Sequence, residues 1–388
     1  MHSPAELILN DELANLTPSQ DEVGSPDDTR LINSSLESLQ STEQRELLDL
    51  VDRLRRAGLS SILQLPQIVV CGDQSSGKSS VLEAITEIPF PRKENLCTRF
   101  ATEIIMRREA GESIQCKINP DSSHPEDEQL RLRQFARKIC DFAELPSIID
   151  DATKEMGLNE RKAFSKDVLS IEICGPNRPQ LTLVDLPGLI HSANKSQSEE
   201  DVELIKSLVQ HYISQQRTII LAVVSAKNDY ANQVILKDCR KLDPKGGRTL
   251  GVITKPDYLR PGSDNEHVWL DLAQNRDIYF ELGWHLLKNP GDDEHHMSCT
   301  ERNLKERMFF TDGSYKLLPR NMTGIDSLRE RLSRLLFEHL QRELPTLKNE
   351  LDEMAAAVNT ELQALGRSRP TVAEQRAYLA EFLVQPMI

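Results

Sequence analysis

The chain has 388 residues, enough for one large α/β domain with helical additions. Its 47 Lys+Arg against 61 Asp+Glu leave a formal charge of −14, which argues against general nucleic-acid binding, because that needs a basic face. Seven cysteines, at 71, 97, 116, 140, 174, 239 and 299, form no Cys-x-x-Cys pair, and no apolar run reaches a membrane span; this is the usage of a reduced, cytoplasmic chain without a disulfide framework.

Residues 1–30 carry Pro4, Pro18 and Pro26 with an acidic excess, and a disordered tail is expected there. Ser41-x-x-Gln44 resembles a capping box, and Leu47, Leu50, Val51 and Leu54 then repeat at helical spacing up to Gly58. Leu65-Pro66 parts this helix from residues 67–71, a run that reads as a buried strand. Next comes Gly72-Asp73-Gln74-Ser75-Ser76-Gly77-Lys78-Ser79-Ser80, which fits G-x-x-x-x-G-K-[ST], and residues 80–85 read as a helix. Strand, glycine loop and helix are the context of a phosphate cradle. The glycines let backbone N–H groups turn onto phosphates, and the helix N-terminus adds its positive dipole end. Lys78 then belongs on the β/γ-phosphates, and the Ser79 hydroxyl on Mg²⁺.

Thr98, in Asn95-Leu96-Cys97-Thr98-Arg99, is placed to offer its hydroxyl to Mg²⁺ and its N–H to a γ-phosphate. Residues 120–165 read as charged helical structure at the domain's edge, and 170–174 and 181–184 as strands. Asp185-Leu186-Pro187-Gly188 follows the second of these strands. A carboxylate there can hold Mg²⁺ through water while the Gly188 N–H faces the γ-phosphate. Residues 199–215 read as helix, 218–224 as strand, 233–242 as helix and 249–253 as strand. Such alternation predicts an α/β fold with a doubly wound, mostly parallel sheet.

Thr254-Lys255-Pro256-Asp257 follows the last of these strands as a T-K-x-D base reader. The Asp257 carboxylate can accept from guanine N1–H and the 2-amino group, a donor pair that adenine lacks. The Lys255 stem can cover the base plane, and Asn289, in Leu286-Leu287-Lys288-Asn289, can support the base edge. Residues 290–322 are polar and read as a loop-rich insertion; His295-His296 with Cys299 fits no common zinc pattern. Ile325, Leu328, Leu332, Leu335, Leu336 and Leu340 form one apolar stripe, which Pro345 is expected to interrupt. Leu347, Leu351, Met354, Val358, Leu362 and Leu365 form a second, stopped by Gly366, and residues 374–384 form a last helical run. The helix at 346–366 is expected to pack on the one at 41–57, whereas the final 20 residues have no evident partner within the chain.

These motifs resemble the dynamin superfamily of large GTPases, nearest its Mx-like and fungal dynamin-related members. Gly72-Asp73-Gln74-Ser75-Ser76-Gly77-Lys78-Ser79-Ser80, Leu96-Cys97-Thr98-Arg99, Asp185-Leu186-Pro187-Gly188, Asp243-Pro244-Lys245-Gly246, the run Arg248-Thr249-Leu250-Gly251-Val252-Ile253-Thr254-Lys255-Pro256-Asp257 and Leu344-Pro345 carry the likeness. It implies a GTPase domain over 66–345, bundle signalling helices over 31–65 and 346–366, and a hinge with a truncated stalk start over 367–388. It also implies Mg²⁺-dependent hydrolysis of GTP to GDP and phosphate, stimulated by dimerisation of GTPase domains. Gln74 matches the residue that positions the attacking water, and Ser75 the one that holds a monovalent cation, K⁺ or Na⁺. Asp229, in Lys227-Asn228-Asp229-Tyr230, matches a carboxylate that reaches across the dimer, and residues 258–264 match a dimer-contact loop. The resemblance leaves room for membrane fission, for peripheral contact with organelle membranes or for microtubule contact, and implies larger assembly only where the missing stalk is supplied. Lys288-Asn289-Pro290 departs from the family's usual Asn followed by Arg. The rival reading is a non-catalytic GTP-binding interaction module.

Overall fold

The computed structural model describes residues 42–56, 58–59, 63–88, 98–139, 141–159, 162–176, 178, 181–190, 197–291, 294, 299–366 and 368–384. The expected tail at 1–30 and the cap at Ser41 lie outside the described residues.

Five apolar runs build one side of a nine-stranded sheet, out to its edge. They are β1 (Gln67–Gly72), β6 (Leu181–Asp185), β7 (Thr218–Ser225), β8 (Thr249–Thr254) and β9 (Trp284–Leu287), and every residue in them is buried. Strands covered on both faces read as continuous apolar runs, which is why their sequences announce them. With β2 (Ala101–Arg108), β3 (Ser113–Asn119), β4 (Ala136–Ile139) and β5 (Val168–Gly175), the order is β4-β3-β5-β2-β6-β1-β7-β8-β9. The run from β6 through β9 is parallel, as is β2 beside β5; β2 is antiparallel to β6, and β3 to β4 and β5. The expected α/β class, doubly wound and mostly parallel, is what the chain adopts. β1 lies between β6 and β7, so the chain's crossovers diverge at its carboxyl end, where open α/β sheets bind ligands.

Two segments differ from expectation. Residues 120–165 hold helices Glu126–Arg133 and Leu145–Glu155, but also the edge strand β4. Residues 290–322 hold the helix Cys299–Phe310 rather than loop alone. Two buried residues of that helix, Arg302 and Glu306, are polar and its aromatic anchors Phe309 and Phe310 sit only at its end, so it shows no apolar stripe. Its buried Glu306 accepts from the Lys288 and Ile325 N–H groups, both at 2.8 Å, tying it to the end of β9 and the start of the next helix.

The C-terminal stripes form one continuous helix, Ile325–Leu365, with Pro345 inside it. Pro345 removes one backbone donor and crowds the preceding turn, yet the helix persists because both flanks are held. Leu340 and Leu347 are buried, and Arg217 pairs with Glu343 before the proline (3.5 Å) and Glu350 after it (2.7 Å). Helix Thr42–Arg56 packs on the sheet and on helix Ile325–Leu365. Its Leu48, Val51 and Arg55 line a small cleft with Ile105, Leu181, Leu336 and Leu340. Ion pairs Arg55–Glu103, Arg107–Asp52 and Arg108–Asp49 fasten it to β2. Beyond Leu351 the second stripe is left exposed among the described residues, and Leu365 is 75 % exposed. Gly366 ends the helix at φ +74°, as expected of a stop, and helix Val372–Val384 follows.

Candidate nucleotide site

At the carboxyl end of β1 the chain turns through Asp73-Gln74-Ser75-Ser76 into helix Lys78–Thr86. Gly77 sits at φ +95°, a region that favours glycine, and caps the helix without a side-chain hydrogen bond. The first-turn N–H groups therefore lack the acceptor that a Ser or Asp cap supplies, which suits an anion. Lys78 is buried, and its Nζ donates to the Gly72 and Asp73 carbonyls, each at 3.2 Å. The ammonium is thus stored beneath the loop, within reach of whatever anion the loop holds. Asp73 is buried and accepts from the Val234 N–H at 3.3 Å; Ser76 is buried, Ser79 and Ser80 are half-buried, and Gln74 and Ser75 lie exposed at the rim.

The Asp185-Leu186-Pro187-Gly188 turn docks on this loop. Val70 of β1 pairs with Asp185, and beyond it Leu189 N donates to Gly72 O (3.1 Å) while Gln74 N donates to Leu189 O (3.0 Å). A Cβ built on Gly188 stands 2.8 Å from Gln74 Cα and 2.9 Å from Lys78 Nζ, so only glycine fits here. The Thr98 hydroxyl donates 2.9 Å to Asp185 Oδ2, bringing the expected metal-holding residues together. Burial pushes the Asp185 carboxyl up to about 6, although the nearby Lys78 charge and the Thr98 hydrogen bond both oppose the rise. Its Oδ1 is buried with no hydrogen-bond partner. A desolvated carboxylate with an unsatisfied oxygen, beside a threonine hydroxyl and the first turn that carries Ser79, fits a hard divalent cation such as Mg²⁺. Among the described residues, no group of three or more His, Cys, Asp or Glu side chains is placed to hold a metal; His295 and His296 lie outside the described residues.

The segment Thr254-Lys255-Pro256-Asp257, expected to read the base, is fastened to the phosphate loop directly. Thr254 Oγ1 donates to Ser76 O at 2.6 Å, and Lys255 Nζ to Ser75 O at 2.9 Å. Lys255 takes φ +56°, and the 3-10 turn Pro256–Tyr258 that follows carries the exposed Asp257. Asp229 is exposed after β7, where its Oδ1 accepts from Ala231 N at 2.9 Å. Asn289 follows β9 and accepts from Arg302 at 3.4 Å, with its Nδ2 buried and unpartnered. Phosphate loop, Thr98, Asp185, Gly188, Thr254 and Lys255 thus converge by direct contact, whereas Asn289 and Asp229 make their contacts with their own neighbourhoods.

Sequence reasoning missed three supports. Gln233 clamps Ser225 at the end of β7 through both amide atoms (3.1 and 3.3 Å). Buried Glu266 accepts from Gly262 N (2.7 Å) and Ser314 Oγ (3.0 Å), shaping the loop after Asp257. Tyr315 donates to Pro256 O at 2.9 Å. None carries a motif; only their burial marks them.

A P-loop-type sheet with a phosphate cradle, a buried carboxylate and a fused base-reading loop is the nucleotide-binding plan of GTPases. The Dynamin family profile matches residues 68–256, and the Dynamin central region profile residues 269–385. The chain is 34% identical over 352 residues to the interferon-induced GTP-binding protein Mx1 of Oncorhynchus mykiss, covering 89% of this chain and 54% of that protein. It is 34% identical over 339 residues to the interferon-induced GTP-binding protein Mx of Epinephelus coioides (86% and 52%) and 35% over 337 to that of Siniperca chuatsi (86% and 51%). The chain belongs to the dynamin superfamily, and it spans about half the length of the curated relatives it matches.

Proposed function

We propose that this chain binds and hydrolyses GTP with Mg²⁺, giving GDP and phosphate with water as the nucleophile. The observation that carries this reading is the union of the phosphate loop with Thr254-Lys255-Pro256-Asp257, one unit with a phosphate end and a guanine end. In this reading Lys78 leaves the Gly72 and Asp73 carbonyls for the β/γ-phosphates, the loop N–H groups and Gly188 N–H receive phosphate oxygens, and Asp257 accepts from the guanine edge. Ser79, Thr98 and, through water, Asp185 hold Mg²⁺, which supplies charge neutralisation across the phosphates. Gln74 orients the water; Ser75 holds a K⁺ or Na⁺. Asn289 supports the base from beside Arg302.

The cellular reading is of the same standing. Asp229 and residues 258–264, which apart from buried Leu259 and half-buried Ser263 are exposed on the site's side of the sheet, serve a dimer of GTPase domains that raises turnover. Helix Thr42–Arg56 and the outer half of Ile325–Leu365 serve as bundle signalling helices, with residues 367–388 leading to a stalk. The role is membrane remodelling or organelle fission from the cytoplasm, with peripheral membrane or microtubule contact. Among the described residues, no helix is long and apolar enough to cross a membrane.

The test is GTP turnover per molecule at several protein concentrations, with K⁺, with Na⁺ and with neither, and with Lys78→Ala as the blank. Specific activity that rises with concentration and needs the cation supports the dimer-activated enzyme. Tight GTP binding with flat, negligible turnover favours the interaction module.

A further inference from the structure

Asp257 is exposed, so the direction of its carboxylate comes from its backbone rather than from packing around it. That backbone is entered through Lys255 at φ +56°, a conformation a lysine keeps only where its surroundings hold it. Upstream the hold is the pair of bonds from Thr254 and Lys255 to the phosphate loop. Downstream the Pro256 carbonyl accepts from Leu259 N (3.2 Å) within the turn and from the Tyr315 hydroxyl (2.9 Å), which comes from 59 residues away.

Tyr315 is built as a post. It lies in the 3-10 turn Gly313–Leu317 and is 6 % exposed. Its ring packs at 5.1 Å from that of Phe309 and edge-on at 6.0 Å from that of Phe310, both at the end of helix Cys299–Phe310. An aromatic ring has only two side-chain torsions, so packing against two other rings leaves its hydroxyl little freedom. Burial, with Glu266 and Asp257 nearby, raises the phenol's pKa, so it remains a donor throughout the physiological range. The neighbouring Ser314 reaches Glu266, which holds Gly262. One short turn therefore touches the base-reading segment at Pro256 and, through Glu266, at Gly262.

We propose that Tyr315 is a positioning residue for base selectivity: its hydroxyl holds the Pro256 backbone so that the adjacent Asp257 carboxylate is aimed at guanine N1–H and the 2-amino group. This rests on the guanine-nucleotide reading of the site.

The test is equilibrium binding of GDP and IDP to the full chain and to Tyr315→Phe. The inosine base keeps N1–H and lacks the 2-amino group, so the GDP/IDP preference reports the aim of Asp257. Phe fills the same space beside Phe309 and Phe310, and the melting midpoint checks that the fold is kept. Loss of one hydrogen bond is expected to weaken GDP binding about five-fold, to weaken IDP binding less, and so to lower the preference. Inorganic triphosphate, the probe of the phosphate end, should bind as before. An unchanged GDP/IDP ratio overturns the proposal. So does an equal loss for GDP, IDP and triphosphate, which reports general loosening, and so does an equal fall in the ratio with Ser314→Ala, which leaves the Pro256 bond in place. Asp257→Asn separates the two levels: if it leaves the guanine preference intact, the base-reader assignment itself fails; if it collapses the preference and Tyr315→Phe does not, only the role of Tyr315 fails.

Discussion

Gly188→Ala tests whether the two halves of the phosphate site are packed as tightly as they look. The new methyl stands 2.8 Å from Gln74 Cα and 3.0 Å from Gln74 N, closer than Cβ atoms approach backbone, and 2.9 Å from Lys78 Nζ. The lysine head can swing aside. The Gln74 backbone cannot, because its N–H is bonded to Leu189 O, one residue beyond the substitution, so pushing Gln74 away breaks the bond that docks the turn. Overpacking of this kind costs about 1–3 kcal/mol. Where that strain is relieved by opening the loop, it is charged against nucleotide binding, and each ~1.4 kcal/mol is a factor of ten, so GDP affinity should fall about 5- to 150-fold. Titration with a fluorescent GDP analogue measures it, and the melting midpoint of the nucleotide-free protein shows how much strain stays in the fold. Affinity within two-fold of the parent, with an unchanged midpoint, refutes the packing argument.

Asp185 carries a pH signature. Its ordinary value is 3.8 and burial raises it to about 6, so between those values the native chain binds more protons than the unfolded one and stability falls as pH rises. Above pH 6 the buried charge costs about 3 kcal/mol, each pKa unit being worth ~1.36 kcal/mol, and Asp185→Asn should raise the melting midpoint of the metal-free protein there while removing its stabilisation by Mg²⁺; a midpoint that does not move shows the carboxylate is already compensated. Asp257→Asn should move preference from guanine toward xanthine, whose C2 carbonyl suits an amide donor, and unchanged competition by XDP against GDP defeats the base-reader role. Thr98→Ala should let GTP bind but slow its hydrolysis, and normal single-turnover rates remove Thr98 from the chemistry. Arg217→Ala should lower stability by about 1–3 kcal/mol, because the buried guanidinium binds Glu350 through two nitrogens (2.9 and 2.7 Å) on the far side of Pro345; an unshifted denaturation midpoint dissolves that clamp.

The site was more legible than the scaffold. β1, β6, β7 and β8 are covered on both faces, so their apolar runs speak for themselves, and the loops at their carboxyl ends carry the phosphate and base motifs. β2 is hidden by its own partners: Glu103, Arg107 and Arg108 look like surface residues until helix Thr42–Arg56 supplies Arg55, Asp52 and Asp49. β3 is passed over in the sequence, although Ile114, Cys116 and Ile118 alternate with exposed or half-buried polar residues at the two-residue period of a strand. Helix Cys299–Phe310 is invisible to periodicity because buried Arg302 and Glu306 stand where apolar residues of a stripe would, with Phe309 and Phe310 only at its end. Pro345 misleads because a local rule about prolines meets a long-range ion pair.

The two bonds from Thr254 and Lys255 to Ser76 and Ser75 make the site a caliper of fixed opening. In the proposed function one jaw closes on phosphate and the other on base, and neither is reset without disturbing the other. A nucleotide that matches the gap is held as a bivalent ligand, its second end captured at the effective concentration set by its own ribose linker. Guanosine or triphosphate alone engages one jaw and gains nothing from the other.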